Sequence, residues 1–422
     1  MEGRLAIPME WPAAFGGLDG AERILRGVWG YADFKPPQRR AITAALHGRD
    51  CLAVLPTGGG KSLCYQVPAL LLPGLTLVVS PLISLMQDQV AALRARGVAA
   101  AYLSSTQTPE LQAAVREATR AGRIRLLYVA PERLKTIPRI LDDRAVSLLA
   151  VDEAHCISEW GHDFRPHYRR LGQLRGTLGS PPTIALTATA TPETRADICT
   201  VLGLRRPVLV LTSFDRPNLH FAVARLESEP ARFSALVTLL RGVTQGSAIV
   251  YVPTKNRADG IAKVLRWQGF SAAPYHAGLP GPARRALLKR FLDAEIRVMV
   301  ATTAFGMGID KPDVRLVVHV GVPARPESYY QEAGRAGRDG QRARCVLLWR
   351  DHDLELAARL ARGHSSPGNP ASITHAQAAR RGLMTMRRYV MTRQCRRAVL
   401  LAYLGEQLER CAGCDRCGVD GG

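Results

Sequence analysis

The chain has 422 residues, too many for one ordinary domain, and its hydrophobic content of 47% excludes a disordered tail. A net charge of +21 points to a polyanionic partner, nucleic acid or an anionic membrane surface, against the alternative of a basic solvated face. The most apolar stretch, ALLLPGLTLVVSPLISLM, is broken by Pro73, Gly74, Ser80 and Pro81, so no membrane span is expected. The N-terminus lacks a basic stretch followed by an apolar one, which makes the cytoplasm the expected location. Nine cysteines in a reducing compartment read as thiols or metal ligands.

Residues 1–20 read as an N-terminal extension. Residues 21–213 then repeat one pattern: apolar run, polar loop, helical stretch. The runs are CLAVL, LTLVVS, IRLLYVA, SLLAVDE and TIALTAT. Short runs without alternation suggest strands buried on both faces, and alternation with helices implies a parallel α/β sheet. The pattern resumes over 214–350 with SAIVYVPT, RVMVATT, VRLVVHV and ARCVLLW. LTSFDRPNLHF between the two reads as a hinge. From 351 to 422 the character changes. ARGHSSPGNPASITHA reads as a loop, followed by helical patterning and clustered cysteines.

AVLPTGGGKSLCYQ follows a strand and opens a helix. Thr57, Gly58, Gly59 and Gly60 let backbone N–H groups face an anion, Lys61 supplies a cation, and the Ser62 hydroxyl suits Mg2+. Leu55 stands where the strict phosphate-loop pattern has its first glycine. LLAVDEAH supplies the matching half. Asp152 and Glu153 fall at the carboxyl end of a parallel strand, where ligands of open sheets bind. Asp152 is suited to hold Mg2+ with Ser62, and Glu153 to polarise an attacking water. YYQEAGRAGRDG offers Gln331, Arg335 and Arg338. The arginines are three apart and would share a face of a helix, either to stabilise charge on a γ-phosphate or as a basic surface helix. In TTAFGMGIDKP, Gly306 and Gly308 permit close backbone approach, and Asp310 could accept from a ribose hydroxyl.

In CISEWGHDFRPHYRRL, Trp160, His162, Phe164, Arg165, His167 and Tyr168 crowd a polar stretch that does not read as core. Cys395, Cys411, Cys414 and Cys417 suit a closed tetrahedral Zn2+ site, and reduced thiols also suit an iron–sulfur cluster. Leu400, Leu404 and Leu408 line one side of a helix between the first two. Cys51, Cys64, Cys156, Cys199 and Cys345 read as core.

Together these motifs resemble RecQ-family DNA helicases of superfamily two. FKPPQ, LPTGGGKSLCYQ, VVSPLISLMQDQV, LYVAPERL, VDEAHCISEWGHDFRP, ALTATAT, ATTAFGMGIDKPDVR and QEAGRAGRDG occur in the family's order. The resemblance implies two tandem RecA-like domains with ATP between them, followed by a small helical zinc-binding subdomain. It implies ATP-driven 3′-to-5′ movement on single-stranded DNA and unwinding of forked DNA, in repair or recombination. It implies a monomer near the bacterial nucleoid, with a single-strand-binding protein as a further partner. Trp160, His162, Phe164 and Arg165 become DNA-contacting residues that couple DNA to the ATP site, against ordinary packing for the rings. Tyr31, Lys35 and Gln38 become the adenine site, Tyr31 stacking and the Gln38 amide pairing with the base edge. The family usually has arginine at Lys35 and glycine at Pro37, which weakens the expected adenine selectivity. Many relatives continue into a winged helix and a further helical domain. This chain stops at Gly422, so weaker strand separation is expected. An RNA-remodelling ATPase and a non-catalytic DNA-annealing protein are the competing readings.

Overall fold

The computed structural model describes residues 17–56, 58–142, 144–161, 163–306, 309–362 and 370–418. The readings made for Thr57, His162 and Gly308 lie outside the described residues. The chain divides into two compact units, Met1–Thr212 and Ser213–Gly422.

The first unit is built on seven parallel strands: β1 (Cys51–Val54), β2 (Leu75–Val79), β3 (Ala100–Leu103), β4 (Leu126–Val129), β5 (Val146–Val151), β6 (Thr183–Thr187) and β7 (Val208–Leu211). Their order across the sheet is β3-β4-β2-β5-β6-β1-β7. The inner strands are buried along nearly their whole length, as sheets covered on both faces require. One apolar cluster joins Ile42, Leu63, Tyr65 and Val67 from the helices to Val78, Tyr128, Ala150 and Leu186 from the strands. The strand order places the ends of β1, β2, β5 and β6 side by side. The phosphate loop, Ser80, Asp152 and Thr187 all sit at those ends.

The opposite end of β1 is held by a buried ion pair. The Asp50 carboxylate accepts from Arg175 Nη2 at 2.8 Å on both oxygens. It also accepts from the backbone N–H of Thr183 at 2.9 Å and of Arg205 at 2.6 Å. Arg175 donates in addition to the carbonyls of Pro181 and Leu202.

The second unit has six parallel strands: β8 (Leu219–Arg225), β9 (Ser247–Tyr251), β10 (Ala272–Tyr275), β11 (Val298–Ala301), β12 (Val314–Val320) and β13 (Ala343–Trp349), in the order β10-β11-β9-β12-β13-β8. Separate apolar clusters cover its two faces. The cysteine-bearing C-terminal segment packs into one of them through Met386, Tyr389, Leu400 and Cys414.

The structure corrects several local expectations. The helix Pro370–Met391 begins inside the segment read as a loop. The helix Arg396–Tyr403 ends before Leu408, because the chain turns at Gly405 with φ +83°. Leu400 and Leu404 are buried, whereas Leu408 is only partly so. Cys199 is half-buried, unlike Cys51, Cys64, Cys156 and Cys345.

Replacing Asp50 with alanine would strand the Arg175 guanidinium in the interior. Urea unfolding of Asp50→Ala is expected to show a loss of about 3–5 kcal/mol, the usual result of removing one partner of a buried pair.

Candidate active site and metal centre

The phosphate loop turns sharply between β1 and the helix Leu63–Leu71. Gly58 and Gly60 adopt φ +77° and +71°, a region that side chains disfavour. The N–H of Gly59 donates to the Pro56 carbonyl at 2.9 Å. Lys61 Nζ lies 3.4 Å from the Leu55 carbonyl, and Ser62 occupies the helix N-cap. Lys61 and the helix N-terminus thus present positive charge at one place.

Gln38 packs against this loop. Its Oε1 accepts from the Lys35 N–H at 2.9 Å, and its Nε2 donates to the carbonyls of Gly59 and Gly60 at 3.0 and 3.2 Å. The side chain is 4% exposed, so burial obliges the amide to satisfy these bonds. The amide expected to read an adenine edge therefore braces the phosphate loop in this structure. Tyr31 is 56% exposed, with its ring presented to solvent, and Lys35 is exposed as well.

Asp152 and Glu153 follow β5. The Asp152 carboxylate is buried and accepts from Ser80 Oγ at 3.4 Å and from the Glu153 N–H at 3.0 Å. Burial pushes its acid up to about 7, the Glu153 charge adds to the rise, and Lys61 opposes it. A buried carboxylate held against deprotonation fits a cation site, because a bound ion would offset the desolvation. Glu153 takes φ +47°, a left-handed conformation that costs a glutamate roughly 1–3 kcal/mol. Its Oε2 lies 3.3 Å from His155 Nδ1, which also meets Thr187 Oγ1 at 2.9 Å. Thr187 Oγ1 donates to the Thr189 carbonyl at 3.1 Å. The hydroxyl proton is thereby committed, so His155 Nδ1–H is the donor to Thr187. His155, Ser80 and Thr187 were not singled out from the sequence. A polar threonine ending the apolar run TIALT was the available signal.

The segment after Glu153 folds back on the carboxylates. Arg165 N–H donates to the Cys156 carbonyl at 2.9 Å. The Arg165 guanidinium pairs with Asp163 at 3.0 Å and donates to the Pro81 carbonyl at 2.7 Å. A Cβ on Gly161 would stand 2.3 Å from the His155 carbonyl, so this turn demands glycine. Trp160 and Phe164 are half-buried, whereas His167 is exposed. Tyr168 departs from expectation: it is fully buried, and its hydroxyl donates to the Asp152 carbonyl at 3.2 Å. It is a core residue that ties the segment to the acidic strand end.

In the second unit, Arg335 and Arg338 lie beyond the helix Pro326–Ala333, in turns. They do not share a helix face, because the helix ends at Ala333 with Gly334 as its cap, before either arginine. Arg216 holds this turn by donating to the carbonyls of Ala336 and Gly337 at 3.2 and 2.8 Å, and Asn218 Nδ2 donates to Gly337 at 2.8 Å. Both bracing residues belong to LTSFDRPNLHF, and the division between the two units falls within the same segment. Arg338 Nη1 donates to Asp310 at 2.8 Å, so the carboxylate expected to meet a ribose is paired with an arginine. Burial and the charge of Arg335 lower the Arg338 pKa. Arg335 is buried, and Gln331 is partly buried at the end of the helix. Behind them His319 Nε2 meets Glu332 at 2.9 Å and stacks on Tyr251.

The Sγ atoms of Cys395, Cys411, Cys414 and Cys417 lie within 4.8 Å of one another, with Cys395 and Cys414 at 3.9 Å. A tetrahedral Zn2+ with bonds of about 2.3 Å separates its sulfurs by about 3.8 Å, so the donor set fits zinc. The backbone around Cys414 is fastened to β8. Cys414 forms a parallel bridge with Phe221, and Asp415 N–H donates to the Phe221 carbonyl at 3.0 Å. The Asp415 carboxylate accepts from the Val223 N–H at 3.2 Å and from Arg396 at 2.9 and 3.1 Å.

Comparison with known proteins first defines the class. Residues 35–198 match the sequence model for DEAD/DEAH box helicases, and residues 231–340 match that of the helicase conserved C-terminal domain. A solved structure titled as DUF1998 helicase MrfA bound to DNA has a TM-score of 0.68 at 19% identity, covering 85% of this chain and 55% of that one. The two units thus have the helicase fold of paired RecA-like sheets. Residues 352–418 match the RecQ zinc-binding model. The chain is 42% identical to the ATP-dependent DNA helicase RecQ of Bacillus subtilis over 408 residues, 95% of this chain and 67% of the relative. Its identity to the Haemophilus influenzae protein of the same name is also 42%, over 93% of this chain and 63% of that protein. The chain belongs to the RecQ family, and it spans about three fifths to two thirds of the length of these relatives.

Zinc should be structural. Metal analysis is expected to find one zinc per chain, and stripping it with a strong chelator should speed amide exchange at Val223 and Asp415, whose N–H bonds join the cysteine segment to β8.

Proposed function

We propose that this chain is the motor of a DNA helicase, hydrolysing Mg-ATP to move 3′ to 5′ along single-stranded DNA and to separate forked duplexes during repair or recombination. The observation that carries the reading is the linkage of one ring- and arginine-bearing segment to the carboxylates. Arg165 bonds to the Cys156 carbonyl, Tyr168 to the Asp152 carbonyl, and His155 spans Glu153 and Thr187. In this reading Lys61 and the loop N–H groups bind the phosphates. Ser62 and Asp152 would hold Mg2+, which supplies charge neutralisation to the transferring phosphoryl group. Glu153 orients the attacking water and takes its proton. Gln331, Arg335 and Arg338 are assigned to transition-state charge, and Tyr31, Lys35 and Gln38 to the nucleotide base. The extended family resemblance supports these roles.

Trp160 and Phe164 supply faces on which bases of any sequence stack, and Arg165 grips phosphate. DNA that draws on these side chains would shift the segment, and with it His155 and Glu153. The net charge of +21 favours such a polyanion. A monomeric motor in the cytoplasm, working on DNA coated by a single-strand-binding protein, completes the proposal.

Steady-state hydrolysis with and without single-stranded DNA or RNA tests it. Single-stranded DNA should stimulate more than RNA, and Lys61→Ala should lower kcat by at least about 100-fold, as removal of a charge-stabilising donor does. In the double variant Trp160→Ala/Phe164→Ala the ratio of stimulated to basal rate should collapse. An unchanged ratio would make the rings packing residues, and equal stimulation by RNA would favour a remodelling ATPase.

A further inference from the structure

Beside the proposed catalytic carboxylates lies a second set of metal-ligating side chains, separate from the four cysteines. His155, Cys156 and Asp163 bring their ligand atoms within 4.8 Å of one another. Cys156 Sγ stands 3.8 Å from His155 Nε2 and 3.7 Å from Asp163 Oδ2. Zinc bonds of about 2.3 Å to sulfur and about 2.0–2.1 Å to nitrogen or oxygen place tetrahedral neighbours about 3.6 Å apart. The two separations to the sulfur need only a small contraction.

From this geometry we propose that His155 Nε2, Cys156 Sγ and the Asp163 carboxylate form an inhibitory site for a zinc-type divalent ion, with water completing the tetrahedron. The surrounding bonds are those a zinc-bound histidine requires. Because Nδ1–H donates to Thr187 Oγ1 at 2.9 Å, the Nε2 lone pair is directed toward Cys156. Glu153 Oε2 lies 3.3 Å from the same Nδ1 and places negative charge beside the imidazole. His155 and Cys156 are buried, while Asp163 is partly exposed and offers the route of entry. Thiolate and imidazole select zinc, cobalt or cadmium over Mg2+. On binding, the Cys156 S–H proton leaves to solvent and the thiolate, imidazole and carboxylate each donate a lone pair. No electron is transferred.

Inhibition follows from what the same groups do without the ion. Asp163 holds Arg165 through bonds of 3.0 and 3.2 Å, and His155 joins Glu153 to Thr187. An ion on all three ligands would draw Asp163 from Arg165 and fix His155. The segment could then no longer move relative to Glu153. The binding claim stands on geometry alone, whereas the inhibitory effect rests on the function proposed above.

The test uses full-length protein carrying one zinc per chain. It is titrated with Co2+ while zinc release is followed. One further equivalent should bind without zinc release and show thiolate charge-transfer and tetrahedral visible bands. Cys156→Ala should lose that equivalent. Asp163→Asn, a change at a partly exposed position, should weaken it by at least about tenfold, the smaller end of the losses seen when even supporting groups are removed. Binding of no second equivalent, or its persistence in Cys156→Ala, would overturn the site. Added Zn2+ should slow DNA-stimulated hydrolysis in the wild type and not in Cys156→Ala. Binding with undiminished hydrolysis would overturn the inhibitory role. A protein that bound the second ion yet hydrolysed no ATP would instead refute the proposed function and leave the site standing.

Discussion

The first unit is organised by the cost of burying a carboxylate. Asp152 is placed by β5 where water reaches it poorly, and its acid rises to about 7 in consequence. Ser80, Lys61 and the Glu153 N–H all face it as partial compensation. Glu153, the next residue, holds a strained left-handed conformation, and its charge adds to the rise of the Asp152 acid. The sheet order then makes this corner a junction, because β2, β5, β6 and β1 all deliver polar residues there.

Hydrogen bonds carry that junction outward. His155 reaches from the acidic pair to β6, Tyr168 returns to the Asp152 carbonyl, and Arg165 reaches Pro81 after β2. A displacement of the ring-bearing turn cannot be absorbed locally, because each of its fixed points belongs to a different strand end. The second unit is arranged on a similar plan. There Arg216 and Asn218 clamp the turn that carries Arg335 and Arg338.

What the sequence disclosed follows burial. The nine strands recognised from apolar runs are the interior strands of the two sheets, covered on both faces. The four that escaped, β3, β7, β8 and β10, are the four edges. Edge strands meet water on one side, so LHFAVAR carries His220 and Arg225 among its apolar residues, whereas AAYL and VLVL are apolar but only four residues long. The phosphate loop, the acidic pair and the four cysteines were legible because their chemistry requires fixed residue types at fixed spacing. The bracing roles of Gln38, Arg216 and Tyr168 were not, because a hydrogen bond to a distant carbonyl leaves no local pattern. The arginine pair shows the reverse error: helical spacing was read where the helix has already ended at Ala333.

The attachment of the cysteine segment to β8 has a consequence for solubility. A terminal strand offers a row of unpaired N–H and C=O groups to any other chain. Here the backbone at Cys414 and Asp415 pairs with Phe221, and the Asp415 carboxylate takes the Val223 N–H. The metal-binding module thus doubles as a cover over a sticky sheet margin. A chain that had lost its metal would be exposed to self-association through that margin before any loss of its central fold.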